Sequence, residues 1–260
     1  IVEGMGGAIS QKMAKEEPAV EAGIKRKIAV FPGKFKPPHR GHMNLVEYLV
    51  KEKGVDQVYI LISPLDKKTP AGKVIDRSVS EKIWQIYIDA KGIGNKVSIG
   101  RSPHNSPVKS SFDVLAGKVP DYVPVPGDLV IPAASDKPDR RSGDPDYVRF
   151  KNFHKGVEGI IEGVIPANIM EWYFEAPKEA PMSAEDFRAA LDTGKGLKAF
   201  LPTSVSAQKV FEALGVELEP EVDETEIDEP EESGGPPALY MGEELMRMVE
   251  AALDEKKRTK

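Results

Sequence analysis

Ten consecutive residues, Gly33-Lys34-Phe35-Lys36-Pro37-Pro38-His39-Arg40-Gly41-His42, gather the side chains of this 260-residue chain best suited to phosphate chemistry. Two imidazoles separated by two residues flank one point, and Lys34, Lys36 and Arg40 supply positive charge around it. Gly41 allows close backbone approach at a helix start, where unpaired N–H groups favour phosphate oxygens. Gly33 permits a sharp turn and Phe35 can anchor the loop, while Pro37 and Pro38 fix an extended approach and remove competing donors. This pattern predicts a loop that binds a polyphosphate.

The elements around the loop must then place it. Ile28-Ala29-Val30-Phe31, closed by Pro32-Gly33, has the look of a buried strand. Residues 41–53 carry Leu45, Val46, Leu49 and Val50 at helical spacing, with Gly54 as the stop, and Gln57–Ile62 is a second apolar strand. Strand, loop, helix, strand is a βαβ unit and implies a parallel sheet, whose ligands bind at the carboxyl ends of its strands. Ser78 and Glu81 have capping-box spacing before a second helix that leaves at Gly92. Lys96–Ile99, Leu129–Ile131 and Gly159–Ile165 are further strand candidates; residues 134–156 read as a loop over the site. Trp172-Tyr173-Phe174 extends the sheet or packs on it, and Ser183 and Ser206 open two short helices, the second stopping near Gly215. The expected fold is α/β, a Rossmann-like open parallel sheet of about five strands flanked by helices, with flexible N- and C-terminal extensions.

The expected boundaries are an N-terminal arm at 1–26, a catalytic domain at 27–215, an acidic linker containing Pro and Gly at 216–237, and an amphipathic C-terminal helix at 238–260. That helix puts Leu239, Leu245, Met246, Val249 and Leu253 on one face, so 238–256 is a candidate surface for self-association or a protein partner. Residues 217–232 hold ten acids and no base; outside them 36 basic side chains face 32 acidic ones. A mildly basic fold suits a polyphosphate and is too weakly charged for nucleic acid. The chain has no cysteine, which excludes disulfides, thiolate catalysis and thiolate-bound zinc and points to a reducing cytoplasm. No apolar run reaches the roughly 18–20 residues that span a bilayer.

The loop fits, position for position, the G-x-F-x-P-x-H-x-G-H pattern, and the chain therefore resembles the HxGH nucleotidylyltransferases, the cytidylyltransferase-like superfamily. Met182-Ser183-Ala184-Glu185-Asp186-Phe187-Arg188 is similar to the family's second motif, I-S-x-T-x-x-R, with Glu185 in place of the threonine. Ala134-Ser135-Asp136-Lys137, Arg140, Arg149 and Leu201-Pro202 resemble uncharacterised members from large bacteriophages. The resemblance spans about residues 27–215. Gln11–Lys15 resembles the K-M-S-K-S loop of class I aminoacyl-tRNA synthetases only superficially, because it precedes His39 rather than following it.

What the resemblance implies is in-line transfer of a nucleotidyl group from a nucleoside triphosphate to a small phosphorylated acceptor, with pyrophosphate leaving. His42 and His39 would contact the triphosphate and Lys36 the acceptor. Gly33, Lys34, Phe35, Arg40, Gly41, Asp136, Lys137, Ser183 and Arg188 would form the nucleotide site, with Mg²⁺ arriving on the triphosphate. Gly33-Lys34-Phe35-Lys36-Pro37 is nearer the G-R-F-Q-P form of archaeal nicotinamide-mononucleotide adenylyltransferases than G-x-F-D-P, which favours AMP over CMP. Two residue-level alternatives stand beside these roles: Ser183 with Asp186 makes a complete helix cap, and Asp136 and Lys137 can serve only to hold their loop. The alternative at the level of function is a nucleotide-binding module of weakened turnover with a structural or assembly role, its setting a phage particle or a larger polypeptide.

Overall fold

The structure, a computed structural model, describes residues 23–139, 142–177 and 182–216. Residues 1–22 of the expected arm over 1–26, Arg140, residues 217–237 of the expected linker over 216–237 and the C-terminal helix lie outside the described residues.

Five parallel strands form the sheet in the order β5-β2-β1-β6-β7. They are β1 (Arg26–Gly33), β2 (Gln57–Ile62), β5 (Val97–Arg101), β6 (Asp128–Pro132) and β7 (Ile165–Pro166). β3 (Lys67–Lys68) and β4 (Val74–Ile75) make a separate antiparallel hairpin between β2 and the second helix. The helices are α1 (Arg40–Lys51), α2 (Arg77–Lys91), α3 (Pro107–Leu115), α4 (Ala184–Thr193) and α5 (Ala207–Ala213). The fold is Rossmann-like α/β.

Both faces of β1 are buried, which is why its sequence is a continuous apolar run rather than an alternating one. Ala29 and Phe31 join Met43, Leu49, Ile83, Trp84, Phe187 and Phe211 under α1, α2, α4 and α5. Ile28 and Val30 face the other way, against Val114, Leu115, Phe150 and Phe153 beneath α3. Three layers result, and β1 is central to both cores. The chain runs from β1 outward through β2 to β5, then returns by α3 to β6 on the opposite flank of β1. Strand order therefore reverses between β1 and β6, and the connections leaving the carboxyl ends of those two strands pass to opposite faces of the sheet and leave a crevice.

Two expectations are corrected. The N-cap of α2 is Asp76, not Ser78: its Oδ1 accepts from Val79 N at 2.8 Å and from the Ser78 hydroxyl at 2.8 Å. A carboxylate beside a helix N-terminus gains from the dipole as well as from these bonds, which hold it below the usual aspartate range. Asp76→Ala should lower stability by about 1 kcal/mol, read as a shift of the denaturant midpoint at constant slope. The strand expected over Gly159–Ile165 shrinks to Ile165–Pro166, because Gly159 and Gly163 have φ of 75° and 76°, which bends the chain before it can pair. Helix α3 falls where the sequence pattern assigned no element; Ser106-Pro107 opens it, and Val114 and Leu115 bury its inner face.

Phe174 N donates to Ala134 O at 2.9 Å and Asp136 N to Phe174 O at 3.0 Å, so Trp172–Phe174 does extend the sheet beyond β6 by a single parallel bridge. Among the described residues no helix is long and apolar enough to cross a membrane.

Candidate active site

A cleft of about 890 Å³ opens at the carboxyl ends of β1 and β6. All twelve residues nominated from the sequence line it: Gly33, Lys34, Phe35, Lys36, His39, Arg40, Gly41 and His42 from the β1–α1 loop, Asp136 and Lys137 from the segment after β6, and Ser183 and Arg188 from α4.

The β1–α1 loop is held from every side. Phe35 has φ of 51° and is buried, its ring laid back over Gly33. The ring stands edge-on to His42 at 5.0 Å and to Trp84 at 5.2 Å. Tyr87 of α2 donates its hydroxyl to Pro38 O at 3.2 Å, and Arg188 Nη1 donates to Lys36 O at 2.7 Å. The Lys36–Pro37 peptide is cis.

The two histidines cap α1 reciprocally. His39 is the N-cap, and its Nδ1 accepts from Gly41 N at 3.1 Å; His42 Nδ1 accepts in turn from His39 N at 3.1 Å. Each ring is thereby assigned its proton on Nε2. The rings stack with centroids 3.7 Å apart, and burial pushes His39 down to about 3 and His42 well below the ordinary histidine range. Near neutral pH the cleft therefore contains two neutral imidazoles, each with Nδ1 spent on the backbone and an Nε2–H donor remaining. The first turn of α1 carries no acid, so its positive end is not cancelled.

Lys36 is wholly buried, and its ammonium donates to Ser63 O at 3.3 Å, just beyond the carboxyl end of β2. Burial, reinforced by Arg77, pushes it down to about 8 against the opposing pull of Asp66, Asp76 and Glu81. Lys34 is exposed and Arg40 half-buried.

Across the cleft, Ser183 is the N-cap of α4: its hydroxyl accepts from Asp186 N at 3.1 Å and donates to Asp186 Oδ2 at 2.5 Å. Asp136 Oδ1 accepts from Ala176 N at 2.8 Å and Lys137 Nζ donates to Met182 O. The cap and loop-holding contacts weighed from the sequence are thus made, whatever further contact these groups offer a ligand. Asp146 and Arg149 pair at 2.5 Å on the same wall, where burial raises the Asp146 carboxyl. The sequence reading missed Lys67, which reaches the cleft from β3. A two-residue strand has no periodicity to betray it, and the only available signal was the Pro70-Ala71-Gly72 turn between Lys67-Lys68 and Val74-Ile75. Among the described residues no group of three or more His, Asp or Glu side chains is arranged to hold a metal ion.

No family model matches the chain. In sequence it is similar to a probable nicotinate-nucleotide adenylyltransferase of Azobacteroides pseudotrichonymphae genomovar. CFP2, with 24% identity over 198 residues, 71% of this chain and 96% of that one. Among solved structures it is similar to a bifunctional NMN adenylyltransferase/ADP ribose pyrophosphatase from Francisella tularensis (15% identity, 74% of this chain, TM-score 0.47). It spans about half of that protein's length, 51%. It is also similar to the Plasmodium falciparum nicotinic acid mononucleotide adenylyltransferase complexed with NaAD (11% identity, 75% of this chain and 100% of that one, TM-score 0.43).

Proposed function

We propose that the chain is a nucleotidylyltransferase that moves AMP from ATP onto a small phosphorylated acceptor and releases pyrophosphate. The observation that carries this reading is the reciprocal histidine cap. Two neutral Nε2–H donors, fixed by backbone bonds to their own Nδ1 atoms, sit at a helix N-terminus where strand order reverses.

In the step proposed, an oxygen of the acceptor's phosphate attacks the α-phosphorus, the bond from that phosphorus to the β-bridging oxygen breaks, and the electron pair leaves with pyrophosphate. A phosphate dianion has no proton to lose, so no general base is required, which agrees with histidines that are spent as donors. His42 and His39 donate to oxygens of the reacting phosphorus and Arg40 neutralises the phosphates beside them. Lys36 faces the acceptor side at β2. Lys137 and Arg188 approach from the opposite wall, Gly33, Phe35 and Gly41 shape the β1–α1 side that receives the nucleotide, and Asp136, Ser183 and Lys34 complete the site. Mg²⁺ comes with the triphosphate, since it keeps several waters and needs few protein ligands. The adenylyltransferase likeness supports ATP as donor and makes nicotinate mononucleotide the first acceptor to try.

Pyrophosphate release is the test. The protein is incubated with ATP or CTP, Mg²⁺ and a panel of phosphorylated acceptors headed by nicotinate and nicotinamide mononucleotides. Release above the acceptor-free rate, faster with ATP, is expected. Nucleotide binding without turnover across the panel would instead favour the second reading, a binding module of weakened catalysis with an assembly role. Glu185 is the observation behind that reading, since it puts an acid on the phosphate-facing wall in the first turn of α4.

Lys36 makes the rate dependent on pH. Its ammonium is charged below about 8 and neutral above, so kcat/KM should fall about tenfold per pH unit past that point. Lys36→Arg, charged throughout, should remove the limb. Loss of the fold does not explain such a limb: unfolded lysine holds its proton to about 10.5, so this group adds stability as pH rises from about 8.

A further inference from the structure

Arg188 lies 152 residues from Lys36 in sequence, yet its Nη1 donates to the Lys36 carbonyl at 2.7 Å. That carbonyl belongs to the segment between the end of β1 at Gly33 and the N-cap at His39, which has no regular structure of its own. Two side chains pin its backbone oxygens: Tyr87 holds Pro38 O from α2, and Arg188 holds Lys36 O from α4. Between those pins the Lys36 side chain runs inward, fully buried, to Ser63 O on the β2 side. A long cation keeps a single buried direction only if its own backbone is fixed, because a lysine side chain otherwise recovers its rotamer freedom. α4 is itself braced at its start, where Lys137 donates to Met182 O.

We infer that Arg188 is a positioning residue: by bonding the Lys36 carbonyl it fixes the β1–α1 loop so that the Lys36 ammonium is held inside, on the acceptor side of the cleft. This role differs from a charge placed against phosphate, because the bond to a carbonyl needs a donor and not a cation. Its catalytic meaning rests on the transferase reading. The contact itself does not, and neither does its test.

The test is amine acylation followed residue by residue with mass spectrometry, with no nucleotide present. Exposed Lys34, two positions away, is the internal standard. In the unaltered chain Lys36 should label at least tenfold more slowly than Lys34. Arg188→Met keeps the apolar stem and deletes the donor; Lys36 should then label within about threefold of Lys34. Arg188→Lys keeps a donor of nearly the same reach and should preserve most of the protection. Lys36 still protected in folded Arg188→Met would overturn the inference, as would Lys36 opened equally in folded Arg188→Lys. If the Met variant fails to fold, the Lys variant decides alone by the same criterion. Absence of turnover, by contrast, would sink the transferase reading and leave the labelling result intact.

Discussion

Replacing His42 by alanine should slow pyrophosphate release about 10²–10³-fold while the chain stays folded. The size follows from what is removed, a preset N–H donor directed at oxygens on which charge develops. Loss of one such donor costs about 3–4 kcal/mol of transition-state stabilisation. Alanine also removes the acceptor of the His39 N–H, an injury to the α1 cap of about 1 kcal/mol. His42→Asn separates the two effects, because an amide oxygen can take over the backbone bond while the amide N–H reaches less far than Nε2. Both variants should therefore lose rate alike, and alanine alone should melt lower, by about 2–4 °C. A rate for His42→Asn within threefold of the parent would rule out the donor role. The same geometry predicts the pH profile. With His39 pushed down to about 3 and His42 well below the ordinary range, both by burial, neither imidazole should add an acid limb to kcat/KM, and a limb at about pH 6 should follow only the second ionisation of the acceptor's phosphate.

What the sequence disclosed and what it hid divide along the distance over which each feature is set. β1, the loop, α1 and β2 are local: an apolar run, a Gly- and Pro-bounded loop and a helical stripe within about 35 residues leave few other foldings, although the bend expected at Gly33 falls instead at Phe35. The N-cap at Ser183 is equally local, since it depends only on Asp186 three positions on. Asp76 was missed because Ser78 three residues before Glu81 satisfies the same spacing rule, and only the actual path of the backbone chooses between them. The arrangement of the cleft is long-range. Asp136 and Lys137 owe their place to pairing with Phe174, about forty residues on, and Arg188 reaches the loop across the whole domain. Side-chain chemistry could nominate these residues, but no periodicity could say what they touch. The neutral state of the histidine pair was likewise hidden, because it arises from the reciprocal use of Nδ1 and from burial rather than from residue type.

Gly33→Ala should cost more stability than any other single-methyl change in the loop. A Cβ there would lie 2.4 Å from Phe35 Cζ and 2.5 Å from Cε1, far inside contact distance. The backbone cannot yield, because Gly33 is in register with Ile62 of β2 and its carbonyl accepts from Ser63 N at 2.9 Å. The ring must therefore move, and with it go the edge contacts to Phe31, His42 and Trp84 at 4.9, 5.0 and 5.2 Å. Overpacking of this kind costs about 1–3 kcal/mol, a fall in melting temperature of roughly 2–12 °C for a domain of this size. Turnover should fall at least about tenfold as well, since His42 loses the surface that sets its ring. A double-mutant cycle identifies the cause. In a Phe35→Ala background the methyl group meets no ring, so Gly33→Ala should there be neutral to within about 0.5 kcal/mol. An equal cost in both backgrounds would place the strain in the backbone instead, and the packing of Phe35 over Gly33 would then not be what shapes the loop.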